Sequence, residues 1–232
     1  MAVAMRNTQN SVSMLQTAEG ALDEVTNILT RMKDLATQSA DASSSTDDQT
    51  AMQKEFDSLT DELSNIFSNT KFGGTALLST TGKLSGAITF QIGADASEKM
   101  TADFTTDLVT NTHAKIALAA TAFKADGTAT AAAGTEINLA NANATIGKLD
   151  TAIDNVSALR SKIGAVSNRL DHVYNNLSNI STNTQAAAGR IMDVDFATES
   201  AKMTSSQMLM QAGTAMLKQT NQMSSMVMSL LQ

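Results

Sequence analysis

Apolar residues recur at helical spacing along three long segments of this chain, roughly residues 3–41, 47–69 and 141–188. Spacings of three and four residues place apolar side chains on one face of an α-helix, in a narrow stripe typical of a coiled-coil seam. A helix of this kind cannot bury its stripe alone, so each segment needs the others as packing partners. The longest stripe lies in the third segment, at Ile146, Leu149, Ile153, Val156, Leu159, Ile163, Val166, Leu170, Val173, Leu177 and Ile180.

Short polar sequences separate the first two helices and end the second. Ser43–Thr46 forms a polar turn, and either Asp47 or Asp48 is the expected N-cap of the second helix. Gly73 and Gly74 are typical of the end of a helix. Because the connection is short, we expect the first two helices to be antiparallel neighbours.

The apolar period changes to two residues in a region that spans 82–110. Alternation from Leu84 to Ile92 predicts a strand, and the turn signal at 93–95 predicts a hairpin whose second strand lies within 100–108. Residues 110–140 are rich in Ala, Thr and Gly, and we expect them to form a variable, loosely structured connection. The predicted fold class is therefore mainly α: an elongated, antiparallel, coiled-coil-like helical bundle with a small β-hairpin region.

A last helix is predicted for residues 191–232, after a break at 189–195, which separates it from a domain at 1–190. The apolar stripe of this helix consists of Leu209, Met216, Met223, Val227 and Leu230. The stripe has no obvious partner elsewhere in the chain, and an unpartnered apolar helix is an association surface. Flexible methionine side chains suit packing against several neighbours.

Composition excludes several classes of function. The chain has no Pro, Cys or Trp, and its aromatic content is 3%, which suits thin bundles better than a thick globular core. A net charge of −7, without clustered Lys or Arg, argues against nucleic-acid binding. The sequence contains no stretch of about 18 apolar residues, so no membrane span is predicted. Its first residues lack the apolar core of a classical signal peptide.

Candidate catalytic or metal-binding chemistry is sparse, and we expect no enzyme activity, cofactor or metal. His113 and His172 lack the partners that a metal site requires, and His172 is interpreted as a helix flank. The carboxylate pairs Asp47–Asp48 and Asp193/Asp195 could do acid–base work, but both fall where helix caps are expected. Capping is the favoured interpretation of both pairs.

Several sequence motifs resemble those of bacterial flagellins and occur in the family's order. The matching segments cover most of the chain outside residues 105–140. They are Arg6–Leu22, Phe90–Ala94, Gly164–Leu170, Asn176–Leu177, Arg190–Glu199, Gln211–Thr214 and Leu230–Gln232. The chain lacks the further N-terminal helix with which flagellins begin, so it is expected to be truncated at the N-terminus.

The resemblance implies a structural subunit of the extracellular flagellar filament, which self-assembles through long helices for motility. It further implies export without a classical signal peptide, a chaperone that holds the C-terminal helix, a cap protein, and other flagellin subunits as partners. The alternative is a cell-surface, flagellin-like adhesin or polysaccharide-binding protein. The Ala/Thr/Gly-rich stretch and the polar helix faces motivate that alternative.

The resemblance also implies a site that Toll-like receptor five reads, which maps onto Arg31, Leu35 and Glu55. In this reading Arg31 would pair with an acceptor on the receptor and Leu35 would fill a recess. The competing interpretation is that Arg31 and Glu55 are solvated helix charges and that Leu35 belongs to the apolar seam.

Overall fold

The computed structural model describes residues 1–127, 134–192 and 196–230. The chain divides into two compact units, Met1–Ser178 and Asn179–Gln232. The helices and strands, in chain order, are α1 (Ala2–Ser39), α2 (Thr46–Asn69), β1 (Lys71–Phe72), β2 (Thr75–Ala76), a 3-10 turn (Lys83–Ser85), β3 (Ala87–Gln91), β4 (Lys99–Asp103), a π-helical segment (Thr106–His113), α3 (Ala114–Ala119), α4 (Ala142–Met192) and α5 (Phe196–Leu230). The predicted class, mainly helical with a small hairpin region, is confirmed.

Ion pairs between the first unit's long helices show that α1 and α4 are antiparallel. Lys33 Nζ lies 2.6 Å from a carboxylate oxygen of Asp150, and Arg160 Nη1 lies 2.9 Å from one of Asp23. From the first ion pair to the second, the residue number falls by ten along α1 and rises by ten along α4, so the two helices run in opposite directions. With about 1.5 Å of rise per residue, the two helices keep this register over at least 15 Å.

The core of the first unit is the seam between α1, α2 and α4. Its fully buried side chains come from all three helices, which explains why no single amphipathic segment could fold alone. Each such side chain contributes roughly 1.5–3 kcal/mol before chain entropy is subtracted. Representative members are Leu15, Leu22, Leu29, Phe56, Leu63, Phe67, Leu149, Leu159, Ile163 and Leu170.

The apolar stripe of α4 is buried along most, but not all, of its predicted length. Leu170 is fully buried and Leu177 is 6% exposed, whereas Ile180 is 39% exposed. Val173 is half-buried. Helical spacing alone predicted that all of these positions are buried to the same degree. Their actual burial depends on whether another helix faces them.

The start of α2 differs from the prediction, because Ser45 and not Asp47 or Asp48 is the N-cap. The Ser45 hydroxyl accepts a hydrogen bond from the Asp48 backbone N–H at 3.2 Å, and the Asp48 carboxylate accepts one from the Ser45 N–H at 3.2 Å. This reciprocal arrangement is a capping box. The Ser45 hydroxyl and backbone N–H also hold the pKa of the Asp48 carboxyl below its usual value.

The hairpin and the residues after it are more ordered than the sequence indicated. In the hairpin, Phe90 pairs with Met100 and both side chains are buried. The returning strand ends at Asp103, earlier than the expected 108, and 106–119 are helical. The expectation of a loose connection throughout 110–140 is therefore wrong for 110–119, while 128–133 lie outside the described residues.

The helical segment escaped detection because its inward positions are only partly apolar. Leu108, Thr112, Ile116 and Ala119 are all buried, and they recur at helical spacing. The hydroxyl of Thr112 is satisfied locally, because it donates to the Asp107 carbonyl at 2.7 Å. A small or hydroxylated side chain can therefore occupy a core position without producing a hydrophobic signal.

The junction before α5 also differs in part from the prediction. Helix α4 continues through Gly189 to Met192, where a break was expected. Asp193 and Asp195, interpreted as capping residues, lie outside the described residues.

Candidate assembly and recognition surfaces

The whole of α5 exposes its apolar side chains in the second unit. Over the described residues 196–230, no side chain of this helix is buried. The exposed fractions of the five predicted association residues lie between 58% and 82%. These residues are Leu209, Met216, Met223, Val227 and Leu230.

Seven methionines of α5 each expose at least 60% of their area, and five of them lie outside the predicted stripe. They are Met203, Met208, Met210, Met216, Met223, Met226 and Met228. A concentration of exposed apolar side chains on one helix is characteristic of sites where a protein meets a partner. Covering one such side chain contributes roughly 1.5–3 kcal/mol, so a few of them suffice for stable association if ordering costs are modest.

The structure brings two of the three predicted receptor residues together. Arg31 on α1 donates from Nε and Nη2 to one carboxylate oxygen of Glu55 on α2, at 2.9 and 2.7 Å. Both side chains remain about half exposed, at 54% and 45%. Leu35, by contrast, is only 2% exposed and packs in the core. The exposed feature at this place is therefore a charged pair that joins two helices, and Leu35 is not part of it.

A buried polar network, which the sequence did not reveal, fastens the chain before α4 to α2. One carboxylate oxygen of Glu136 accepts hydrogen bonds from the backbone N–H and hydroxyl of Thr121, and the other accepts from Gln53 Nε2 at 3.0 Å. Gln53 in turn accepts from the Ile137 N–H at 3.0 Å. Burial alone would raise the pKa of Glu136, but the hydrogen bonds from Thr121 and Gln53 outweigh it and lower the pKa.

His113 is a buried core histidine and not a surface residue of a loose connection. Its Nε2 lies 2.9 Å from the Leu78 carbonyl oxygen, and its ring meets Phe67 edge to face at a centroid distance of 5.1 Å. Nδ1 has no hydrogen-bond partner among the described residues. Burial lowers the pKa of His113 to about 4, against the weaker opposing effect of the Leu78 hydrogen bond. The ring is therefore neutral at neutral pH.

His172 is exposed on α4, in agreement with its interpretation as a helix flank. In residues 1–127, 134–192 and 196–230, the acidic and imidazole side chains form no group of three that could hold a metal ion. Across the same described ranges, no helix combines the length and apolarity needed to cross a bilayer.

Two family models match this chain at its two ends. The bacterial flagellin N-terminal helical region matches residues 1–83, and the bacterial flagellin C-terminal helical region matches residues 146–231. The first match contains α1 and α2, and the second contains most of α4 and α5. The helices that form the seam and the exposed α5 are thus the parts recognised by the two models.

Individual relatives lead to the same family. The chain is 51% identical over 96 residues to polar flagellin B/D of Vibrio parahaemolyticus and 49% identical over 98 residues to flagellin C of Vibrio cholerae. These matches cover 41% and 42% of this chain but span only about a quarter, 25%, of each relative. The crystal structure of Bacillus cereus flagellin is 36% identical, with a TM-score of 0.56, and the match covers 79% of this chain and 95% of that one. The resemblance seen in the sequence motifs is confirmed, and this chain belongs to the bacterial flagellin family.

Proposed function

We propose that this chain is a structural subunit of the bacterial flagellar filament and that it self-assembles for motility. The observation that carries the proposal is α5, a helix of 35 residues of which none is buried within the described chain. Flagellins are a family of structural proteins, and membership in it favours this role over a surface adhesin or a polysaccharide-binding protein. Neither an enzyme activity nor a cofactor is part of the proposal.

The proposed physical mechanism is association through heterologous contacts, which build an open filament and not a closed ring. When one surface of a subunit binds a different surface of the next, the same step repeats without limit and builds a helical filament. Apolar burial along α5 supplies most of the driving force, because Leu209, Met216 and Val227 each lose water-exposed area. The rigid seam of α1, α2 and α4 holds each subunit in the shape that the repeat requires.

The same exposed helix motivates the proposed route of the protein and its further partners. A helix with this much uncovered apolar surface would aggregate before assembly, so a chaperone that covers α5 would protect the unassembled chain. We propose export without a classical signal peptide, addition beneath a cap protein, and an extracellular location in the filament, where other flagellin subunits are the immediate partners.

Recognition by Toll-like receptor five is proposed for the face that carries Arg31 and Glu55. The pair is exposed and its geometry is fixed by two hydrogen bonds, so a receptor would meet a preorganised charged surface. Leu35 is buried in the core, so it is not available at this face for direct contact with a receptor.

Seeded elongation tests the filament role. Filament fragments sheared from cells that make this protein are mixed with the purified chain, and growth is followed by light scattering and electron microscopy. We expect the wild type to elongate the seeds and the double variant Leu209→Asp/Met216→Asp to fail, because two charges would be buried without partners. The matched control, Leu118→Asp/Leu139→Asp, changes two exposed apolar residues outside α5 and should elongate normally.

Elongation by the α5 variant at the wild-type rate would contradict the proposed role of this helix. The filament role itself would be contradicted if the full-length natural protein that contains this sequence also failed to elongate the seeds.

A further inference from the structure

A cleft between the β3–β4 hairpin and α4 combines an apolar floor with two positively charged side chains, Lys99 and Arg169. Its volume is about 420 Å³, and we name it the basic groove. Ile92, Met100 and Val173 form the apolar part. Lys99 from the hairpin and Arg169 and His172 from α4 supply the polar part. A surface of this composition fits a partner that presents carboxylates.

The two cations of the basic groove, Lys99 and Arg169, have no carboxylate partner among the residues that the structure describes. Elsewhere in the first unit, Arg31, Lys33, Arg160 and Lys162 each lie within 3 Å of a carboxylate oxygen. In the ranges that the structure describes, Lys99, Arg169 and His172 make no ion pair, although all three side chains are exposed. The groove therefore offers charge without an internal partner.

A matching set of unpaired carboxylates lies on the α1–α2 face. The Arg31–Glu55 ion pair fixes the register of these antiparallel helices. Glu24 precedes Arg31 by seven residues and Glu62 follows Glu55 by seven residues, so both return to the same face, about 10 Å along the axis. Glu24 and Glu62, which we name the acidic pair, are exposed and make no ion pair within the described residues.

The basic groove and the acidic pair lie on different sides of the first unit. Arg160 faces α1, because it binds Asp23. Arg169 follows Arg160 by nine residues, which places it about half a turn further around α4. A subunit therefore cannot place its own acidic pair in its own groove, yet it can use both surfaces at once with two neighbours.

We propose that the basic groove is a docking site for the acidic pair, Glu24 and Glu62, of a second copy of this chain. The proposal deepens the filament role and rests on it, since it names one lateral contact of the assembly. The two surfaces differ, so the contact is heterologous and repeats without closing, as an open filament requires. Charge pairing at this contact sets the register between neighbours, while apolar burial along α5 supplies most of the affinity.

Charge reversal provides a sharp test, because the two surfaces can be inverted separately. The groove variant is Lys99→Glu/Arg169→Glu, and the acidic-pair variant is Glu24→Lys/Glu62→Lys. Each variant carries two surfaces of like charge, so we expect self-association at about 20 mM salt to weaken about tenfold relative to the wild type. Sedimentation velocity of the full chain over a concentration series measures this association.

Mixing the two variants distinguishes a specific contact from a general effect of charge. The acidic groove of one variant then faces the basic pair of the other, and the remaining two surfaces are also complementary. We expect the equimolar mixture to recover wild-type association to within about threefold, and about 1 M salt to remove the difference between wild type and variants. Lys54→Glu/Lys148→Glu, which reverses two exposed cations elsewhere, is the control and should associate like the wild type.

The proposal is overturned if either reversal leaves association unchanged, if the mixture associates no better than its components, or if the control weakens association equally. Circular dichroism should show unchanged helix content in every variant, because the substituted side chains are exposed. Seeded elongation separates this contact from the filament role. If both charge variants elongate the seeds normally, the contact is refuted and the filament role stands. If neither the wild type nor the full-length natural protein elongates the seeds, but the mixture of variants recovers self-association in sedimentation, the filament role is refuted and the contact stands.

Discussion

Leu170→Ala tests whether the seam of the first unit is the source of its stability. Leu170 is fully buried on α4 and belongs to the core cluster, so truncation removes three heavy atoms and leaves a cavity. Such changes cost about 2–5 kcal/mol, with the spread set by how far the surroundings relax. A cost of about 3 kcal/mol corresponds to a fall in Tm of roughly 6–12 °C for a chain of this size.

Ile180→Ala is the matched control for this prediction. Ile180 lies on the same sequence stripe but is 39% exposed, so its truncation should cost within about 0.5 kcal/mol. The chain has one tyrosine and no tryptophan, and Tyr174 lies four residues from Leu170 on α4. Tyrosine fluorescence therefore reports unfolding of this helix in a urea titration. Equal destabilisation by the two variants, or an unchanged midpoint for Leu170→Ala, would refute the seam as the stabilising element.

Three further predictions concern polar residues. The pKa of His113 is about 4 when folded, against about 6.5 when unfolded. The unfolded chain therefore binds more protons between these values, so the unfolding free energy should fall by up to about 3 kcal/mol as pH drops from 6.5 to 4. In urea titrations, His113→Gln should weaken the dependence of the unfolding free energy on pH, whereas His172→Gln, at an exposed position, should leave it unchanged. If His113→Gln showed the same pH dependence as the wild type, the reasoning would be contradicted. Ser45→Ala should cost about 0.5–2 kcal/mol through loss of the capping box, and an unchanged urea midpoint would count against it. A double-mutant cycle on Arg31 and Glu55 should give a coupling below about 1 kcal/mol because both are half exposed, and a much larger value would disprove that expectation.

Helix positions were predictable from sequence, but their ends and some inward positions were not. The stripe of α4 was visible because its inward residues are large and apolar at every turn. The helical segment 106–119 was hidden because Thr112 and Ala119 fill core positions with little hydrophobic signal. The cap of α2 was misplaced by two or three residues, since Ser45, Asp47 and Asp48 are all good capping residues and only the backbone geometry selects one.

The candidate surfaces divide in the same way. The exposure of the α5 stripe agrees with the sequence analysis, which found no partner for these apolar residues elsewhere in the chain. The sequence left two interpretations of Leu35 open, a receptor contact and a seam residue, and the structure shows that it is buried in the core. The basic groove and the acidic pair also escaped sequence reasoning, because their members come from segments that only folding brings together.

By itself, the sequence of this chain determined local conformation and showed which helix lacks an internal apolar partner. The absence of proline and the helical spacing of apolar residues favour long helices, because both effects act within a few turns of the chain. The last helix has an apolar stripe for which the sequence offers no partner. The tertiary structure alone decided which stripe residues are buried, why Ile180 differs from Leu170, and which charges find partners. Burial and ion pairing depend on atoms contributed by distant segments, and a one-dimensional pattern does not contain those distances.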